Sequence, residues 1–485
     1  MTKQEAAIKY ITENYLDFNR LRHDIVADKL QVRVAHSLED ASLQNAPEGL
    51  QFRGSEYWRE MTKHDINSIV CHCAQEYDAN ITSREVMTAL QSDLIPDVHP
   101  LREYINALPC YTPDQPDWID FVASQVHVMD ASATDRCEAP VDRHSVAVDG
   151  RSATPVVFHN ESTASNASEL QCSASETNYS EATHSSQSER SEADRLWRVC
   201  FKKWFVAMVA SWMKDEVVNH QVLVLIGKQG IFKTTWLEHL IPPHLRAYAC
   251  KLANSNDLNK DERLRIAEFG LISLDEIDSM NNRELNQLKS VITATDVNER
   301  AAYAYTKERR IRLASFCASG NRRDFLTDIT GNRRWLPFEV ESIQNPFYTL
   351  LPYERMYAQA WALAQDPLFS YWFDLDEIEV LEEHNQHFRD ESNEEQLLPI
   401  LFDVPAEGRG EFMTTAQISE RLVTYGNIKK PMALGRLGVL MGSMGYRSVT
   451  RGNRQARLRG WIVYQRDTEE IAANKKLLAK ECVTV

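Results

Sequence analysis

The chain has 485 residues, 43% hydrophobic and 26% charged, with a formal net charge of −16. That length allows about three domains, and the composition is that of a soluble globular protein. The charge excludes a surface that is cationic throughout, the apolar runs are too short for a membrane span, and Met1-Thr2-Lys3-Gln4 begins no signal peptide.

Nine scattered cysteines, an odd number, point to a reducing cytoplasm. Cys71-His72-Cys73 lacks a second ligand pair at zinc spacing and reads as part of a buried helix. Residues 1–130 read as a mostly helical N-terminal domain, with a capping box (Thr82, Glu85) opening a helix at Ser83–Leu90. Residues 131–194 are rich in Ser, Thr, Glu and Asn, cannot bury enough apolar surface to offset chain entropy, and are expected to be a disordered linker.

Order resumes at Leu196. Trp197, Phe201, Trp204, Phe205, Met208 and Trp212 recur at helical spacing and suit a core or a subunit contact. An apolar run, VLVLI, then leads into Gly227-Lys-Gln-Gly-Ile-Phe-Lys233-Thr234-Thr235. A strand, a glycine-bearing loop and a helix in this order can cradle phosphates. Gly227, Gln229, Gly230, Lys233, Thr234 and Thr235 are the expected nucleotide contacts, and Thr234 is a candidate Mg²⁺ ligand. The usual spacing G-x-x-x-x-G-K-[ST] places glycine immediately before the lysine, where this chain has Phe232.

Three later segments supply companions. Leu271–Leu274 reads as a buried strand ending in Asp275-Glu276, with Asp275 suited to Mg²⁺ and Glu276 to polarising an attacking water. Asp278 suits a helix cap before Asn282–Thr293. Ile311–Ala318 reads as a strand ending in Ser319-Gly320-Asn321, where Asn321 can position the water, although Gly-Asn also suits an ordinary turn. Arg333 first, and Arg334 second, can serve as an arginine finger to a neighbouring subunit; the same pair also suits the surface of an edge strand. Between these, Tyr303, Tyr305, Lys307, Arg309 and Arg310 lie in a hairpin-like stretch. Stacking tyrosines and cations fit single-stranded DNA, and packed tyrosines fit the sequence equally well.

Taken in order, GKQGIFKTT, LISLDE, the Arg300–Tyr305 segment, SGN and GNRRW resemble the virulence-associated protein E family, whose ATPase core is similar to superfamily 3 helicases. The resemblance covers roughly residues 55–130 and 195–365, with the Ser-rich stretch interrupting it. It implies an α/β P-loop NTPase core (AAA+-like, superfamily 3 type) over 195–365 and an oligomeric, hexameric ring. It also implies ATP hydrolysis at subunit interfaces and a role in phage, plasmid or genomic-island replication.

Beyond the core, Asp374 to Glu395 is strongly acidic and 366–410 reads as a connector, a spacer or a competitor for DNA-binding cations. From Lys429 to Arg466 there is no acidic residue. Thr414-Thr415 cap a helix, Pro431 opens a second, and Tyr446–Gln465 reads as a hairpin, so 411–467 is expected to be a winged-helix-like domain before a tail over 468–485. Arg436, Arg451, Arg454, Arg457 and Arg459 are candidate DNA contacts, with Asn453 and Gln455 as base or sugar contacts. The combined expectation is an ATP- and Mg²⁺-dependent DNA helicase or replication-initiation ATPase acting on single- or double-stranded DNA. Two rivals stay open: a nucleotide-gated switch in defence or mobile-element control that does not unwind DNA, and a DNA-binding regulator with a degenerate phosphate loop.

Overall fold

The computed structural model describes residues 2–35, 56–77, 80–129, 191–252, 260–299, 308–326, 332–405, 410–453 and 456–474. The expected linker up to residue 190, Tyr303, Tyr305, Lys307, Arg454, Gln455 and the end of the tail lie outside them.

Among the described residues of 1–130 helix outweighs strand, but the expectation of a mostly helical N-terminal domain lacks a sheet and sets the boundary elsewhere. Strands β1 (Leu21–Asp24), β2 (Lys29–Ala35), β3 (Glu56–Glu60) and β4 (Asp97–Val98) form a sheet in the order β3-β2-β1-β4. Helices Lys3–Ile11, Lys63–Tyr77 and Ser83–Leu90 bury Ala6, Ile69, Cys73 and Val86 in its core. These strands (LRHD, KLQVRVA, EYWRE) alternate charge with apolar residues, so they lack the continuous apolar run that marks a buried strand. Residues 99–129 belong to the next unit. Leu101, Ile105, Trp118, Ile119 and Val122 are buried in the core that also holds the aromatic helix.

Eight strands follow: β5 (Val126–Val128), β6 (Val222–Ile226), β7 (Ala249–Leu252), β8 (Leu271–Leu274), β9 (Asp296–Glu299), β10 (Glu308–Ile311), β11 (Ser315–Gly320) and β12 (Trp335–Ile343). Six form one sheet in the order β5-β12-β6-β11-β8-β7. All its pairings are parallel except β5 with β12. Residues of β6 alternate between two cores, Leu223 and Leu225 on one face, Val222, Val224 and Ile226 on the other, as a strand covered on both sides must. Helix Glu192–Met213 lies against the first face. It starts inside the stretch expected to be linker, with Ser191 as its cap. All six of its predicted aromatic-face residues are buried, as core. The indole N–H of Trp197, Trp204 and Trp212 donate to the carbonyls of Ala123, Phe316 and Gly270, so these large rings are buried without orphaned donors.

The expected strand Ile311–Ala318 is broken. β10 ends at Ile311, and β11 begins at Ser315. Between them Arg312 is buried with no acidic partner among the hydrogen bonds its guanidinium makes, donating to the carbonyls of Ala314, Val291, Ala294 and Asn219. Burial pulls its pKa down to about 9. This anchor separates the β9–β10 hairpin from the sheet.

The acidic connector is corrected as well. Helix Leu375–Gln386 is part of the central unit rather than a spacer: Leu381 and Phe388 are buried in its two cores. Glu377 pairs with Lys203 at 2.7 Å, and Asn385 donates to the carbonyls of Asn332 and Trp335. Removing 374–395 would open both cores, so the segment is not free to swing onto the basic hairpin.

At the C-terminus, β13 (Phe402–Asp403), β14 (Glu411–Met413), β15 (Arg447–Asn453) and β16 (Ala456–Gln465) pair antiparallel around β16. Helices Asn393–Leu401, Thr415–Gly426 and Leu434–Ser443 cover one face with Leu398, Ile418, Leu422, Leu437 and Met441. The last helix begins at Leu434 rather than at Pro431. Among the described residues no helix is long and apolar enough to cross a membrane.

Candidate active site

Three neighbouring strands of the central sheet deliver the site. β6, β11 and β8 lie side by side and parallel, so the loops leaving their carboxyl ends converge. Gly320 is level with Ile226, and Ala318 with Leu274, which puts Ser319 beside Asp275.

The loop after β6 has a backbone that side chains resist. Gly227 has φ 156°, and a Cβ there would stand 2.6 Å from the Val340 carbonyl oxygen. Gly230 has φ 87° and Phe232 φ 68°. Phe232 therefore holds the left-handed conformation that the expected glycine adopts freely, at a cost of about 1–2 kcal/mol.

Lys233 is only 7% exposed. Its Nζ donates to the carbonyls of Gly227 and Lys228, both at 2.7 Å, and to Asn321 Oδ1 at 3.2 Å. Burial pulls its pKa down, against the opposing pull of Asp278 and Asp275. Thr234 Oγ1 donates to Asp275 Oδ1 at 3.2 Å and lies 2.8 Å from Ser319 Oγ, which in turn donates to Asp275 Oδ1 at 2.8 Å. Three hard oxygen donors thus converge at one point, the set that suits Mg²⁺ shared with phosphate. Burial works against the Asp275 carboxylate, but Lys251, Ser319 and Thr234 hold its pKa below the ordinary value.

Glu276 follows with φ 52°, again left-handed, and is exposed on the rim. With Gln229, Gly230, Phe232, Thr235 and the residues above, it lines a cleft of about 320 Å³. A larger hollow of about 740 Å³ lies in the N-terminal module, lined by Asp28, Glu60, Asp93 and Asp97 among others. It shares no lining residue with this cleft, and its acidic rim has the wrong sign for phosphate.

The cleft thus brings together Gln229, Gly230, Lys233, Thr234, Thr235, Asp275, Glu276 and Asn321, with Gly227 behind the loop. It does not include Arg333 and Arg334. They precede β12, where Trp335 is level with Val222. That is the amino end of the parallel strands, four residues or roughly 13 Å from the carboxyl end of β6. Arg333 is exposed and Arg334 half-buried.

Sequence reasoning missed two participants and gave a third, Asp278, the wrong role. Ser319 has no role of its own in the Ser-Gly-Asn motif at the strand tip, although it completes the oxygen triangle. Lys251, from β7, pairs with Asp275 Oδ2 at 2.9 Å, and nothing near it in the sequence marks it. Asp278 is not the cap of Asn282–Thr293; Asn281 is. Asp278 instead accepts from the backbone N–H of Asn321 and Arg322, fixing the turn that carries Asn321.

The expected DNA contacts divide. Arg309 is paired with Asp296 at 2.5 Å, and Arg310 with Asp28 at 2.6 Å and Glu268 at 3.5 Å, so both cations are engaged within the fold. In the C-terminal hairpin, Arg451 lies opposite Leu458, on one face of the sheet, with its guanidinium 4.7 Å from the Phe412 ring. Arg457 and Arg459 share the other face with Trp461, against which Gly438 and Gly442 of the last helix approach. They are exposed on the side of the sheet where that helix carries the exposed Arg436.

Residues 177–395 match the family model of the virulence-associated protein E-like domain, so the chain carries a domain of that family. The match runs through the acidic helix that packs on β12. No curated protein matches the chain. Among solved structures, the apo NrS-1 C-terminal region (305–718) aligns at 9% identity with TM-score 0.38, over 95% of this chain and 100% of that one. An A-form apo structure of the same region aligns at 10% identity with TM-score 0.40, over 93% and 98%. The likeness is loose.

Proposed function

We propose that the chain is an ATP- and Mg²⁺-dependent P-loop ATPase of superfamily 3 type. It would act on DNA in the replication of a mobile element, as a ring, hexameric by the family's pattern. The observation that carries this is the convergence of Lys233, Thr234, Asp275, Ser319, Glu276 and Asn321 on one cleft from three adjacent strand ends. Lys233 exchanges the carbonyls of Gly227 and Lys228 for the terminal phosphate oxygens. Asn321 orients the attacking water, and Glu276 takes its proton as oxygen bonds to the γ-phosphorus. The bond to the ADP oxygen breaks, and Arg333 or Arg334 of the next subunit meets the developing charge. Thr234 and Asp275, with Ser319 beside them, would hold Mg²⁺, which would supply charge neutralisation to the phosphates.

The C-terminal unit reads as a winged helix. Its wing carries Arg457 and Arg459 on the same side as Arg436, a cationic surface fitted to a DNA backbone. The test of the whole reading is MgATP hydrolysis by the full chain and by Lys233→Ala.

A second reading, a nucleotide-gated switch that does not unwind DNA, is favoured by one observation. Lys251 already holds one oxygen of the metal-binding carboxylate. Both partners are partly exposed, so the pair is worth about 1 kcal/mol or less. Lys251→Met is expected to lower the Mg²⁺ concentration for half-maximal turnover by about 2–5-fold. An unchanged Mg²⁺ dependence would show that Lys251 does not compete for Asp275. Strand displacement by the wild-type chain separates motor from switch.

A further inference from the structure

Phe232 belongs to two structures at once. It lines the phosphate cleft, and its ring stands edge-to-face against Phe347, with centroids 6.4 Å apart at 81°. Phe347 also meets His239 edge-on, at 5.5 Å and 86°. Phe347 is nevertheless 58% exposed, and Tyr348 beside it 87%. Two adjacent aromatic side chains thus face solvent next to a polar cleft.

The turn that presents them is held at both ends. The Gln344 N–H donates to the Gln125 carbonyl, and Asn345 Oδ1 accepts from the Phe347 N–H at 3.0 Å. Tyr353 Oη donates to the His239 carbonyl at 2.7 Å, tying the following helix to the one that leaves the phosphate loop. His239 Nδ1 lies 2.7 Å from the Thr235 carbonyl oxygen. That oxygen can only accept, so Nδ1 donates to it.

We infer that Phe347, backed by Phe232 and flanked by Tyr348 and His239, is the stacking subsite for the nucleobase of the nucleotide whose phosphates occupy the cleft. The inference rests on the phosphate-cleft reading and adds the base to it. Lys233 and Thr234 take the terminal phosphates, which directs the α-phosphate and ribose towards Thr235. His239 is one helical turn further, about 6 Å along the axis. A base extending beyond the ribose arrives at the exposed face of Phe347, and an aromatic face accepts a base by stacking. Phe232 in its left-handed conformation directs its ring out of the loop and onto Phe347, a role a glycine could not fill.

The test is calorimetric titration of the full chain with MgATP and, separately, with Mg²⁺-inorganic triphosphate. Phe347→Ala removes an exposed ring and is expected to weaken MgATP at least about 5-fold, the lower end of base–aromatic stacking. Triphosphate affinity should stay at the wild-type value, and Phe347→Trp should restore MgATP binding. MgATP affinity unchanged in Phe347→Ala overturns the subsite, as does a parallel loss for triphosphate. If triphosphate binds the wild type no better than Lys233→Ala, the phosphate-cleft reading itself falls, and the base subsite with it.

Discussion

Arg333→Ala is expected to lower kcat for ATP hydrolysis by about 10³-fold or more, the range in which an arginine finger acts, while MgATP affinity stays within a few-fold of wild type. The effect is large because the γ-phosphate develops charge in a cleft whose own subunit supplies one fixed cation from the loop, Lys233. Arg333 cannot reach that cleft in its own subunit, since it stands at the amino end of the parallel strands, just before the start of β12, whereas the cleft lies at their carboxyl ends. It is held ready by a rigid turn: Asn385 donates to the carbonyls on either side of the arginine pair, and the Arg334 carbonyl accepts from the Val222 N–H at 2.7 Å. A finger there works only across a subunit boundary. Mixing Arg333→Ala with Glu276→Gln subunits should therefore recover turnover at interfaces that pair an intact Arg333 with an intact Glu276. No recovery on mixing, in rings shown to exchange subunits, would place the finger elsewhere; undiminished kcat in the single variant would do the same.

Glu276→Gln should cut kcat by about 10²–10⁴-fold, the usual contribution of a positioned general base, with MgATP affinity preserved. The amide keeps the shape of the side chain and fits the same left-handed backbone, but cannot take the proton from water. Binding survives because Lys233, Thr234 and Asp275 are untouched. Single-turnover hydrolysis and equilibrium binding, measured on the same preparation, separate the two effects. A variant that keeps turnover within about 10-fold of wild type would remove Glu276 from the base role.

The parts of this site that lie on buried parallel strands were legible in the sequence. VLVLI is an unbroken apolar run, and LISL is apolar but for Ser273, because both faces of β6 and β8 are covered, so their polar ends stand out as the residues that leave the sheet. What was hidden depends on partners far along the chain. Asp278 looks like a local cap, yet its acceptors serve Asn321 and Arg322, more than forty residues on. Lys251 sits in an edge strand, and its role exists only because β7 lies beside β8. The acidic helix Leu375–Gln386 turns few side chains inward, Leu381 and Asn385 among them, and its surface charge concealed a packed element. In the N-terminal module, strands with one polar face gave no run to notice. Phe232 was legible as a departure but not in its consequence, because Phe347 lies 115 residues away in a loop with no motif of its own.

The most direct test is steady-state MgATP hydrolysis by the full chain, with and without single-stranded DNA, set beside Lys233→Ala. An ATPase built on this cleft turns ATP over, does so faster on DNA, and loses both activities when Lys233 is removed. Equal turnover by wild type and Lys233→Ala, or no turnover and no MgATP binding by the wild type, would contradict it.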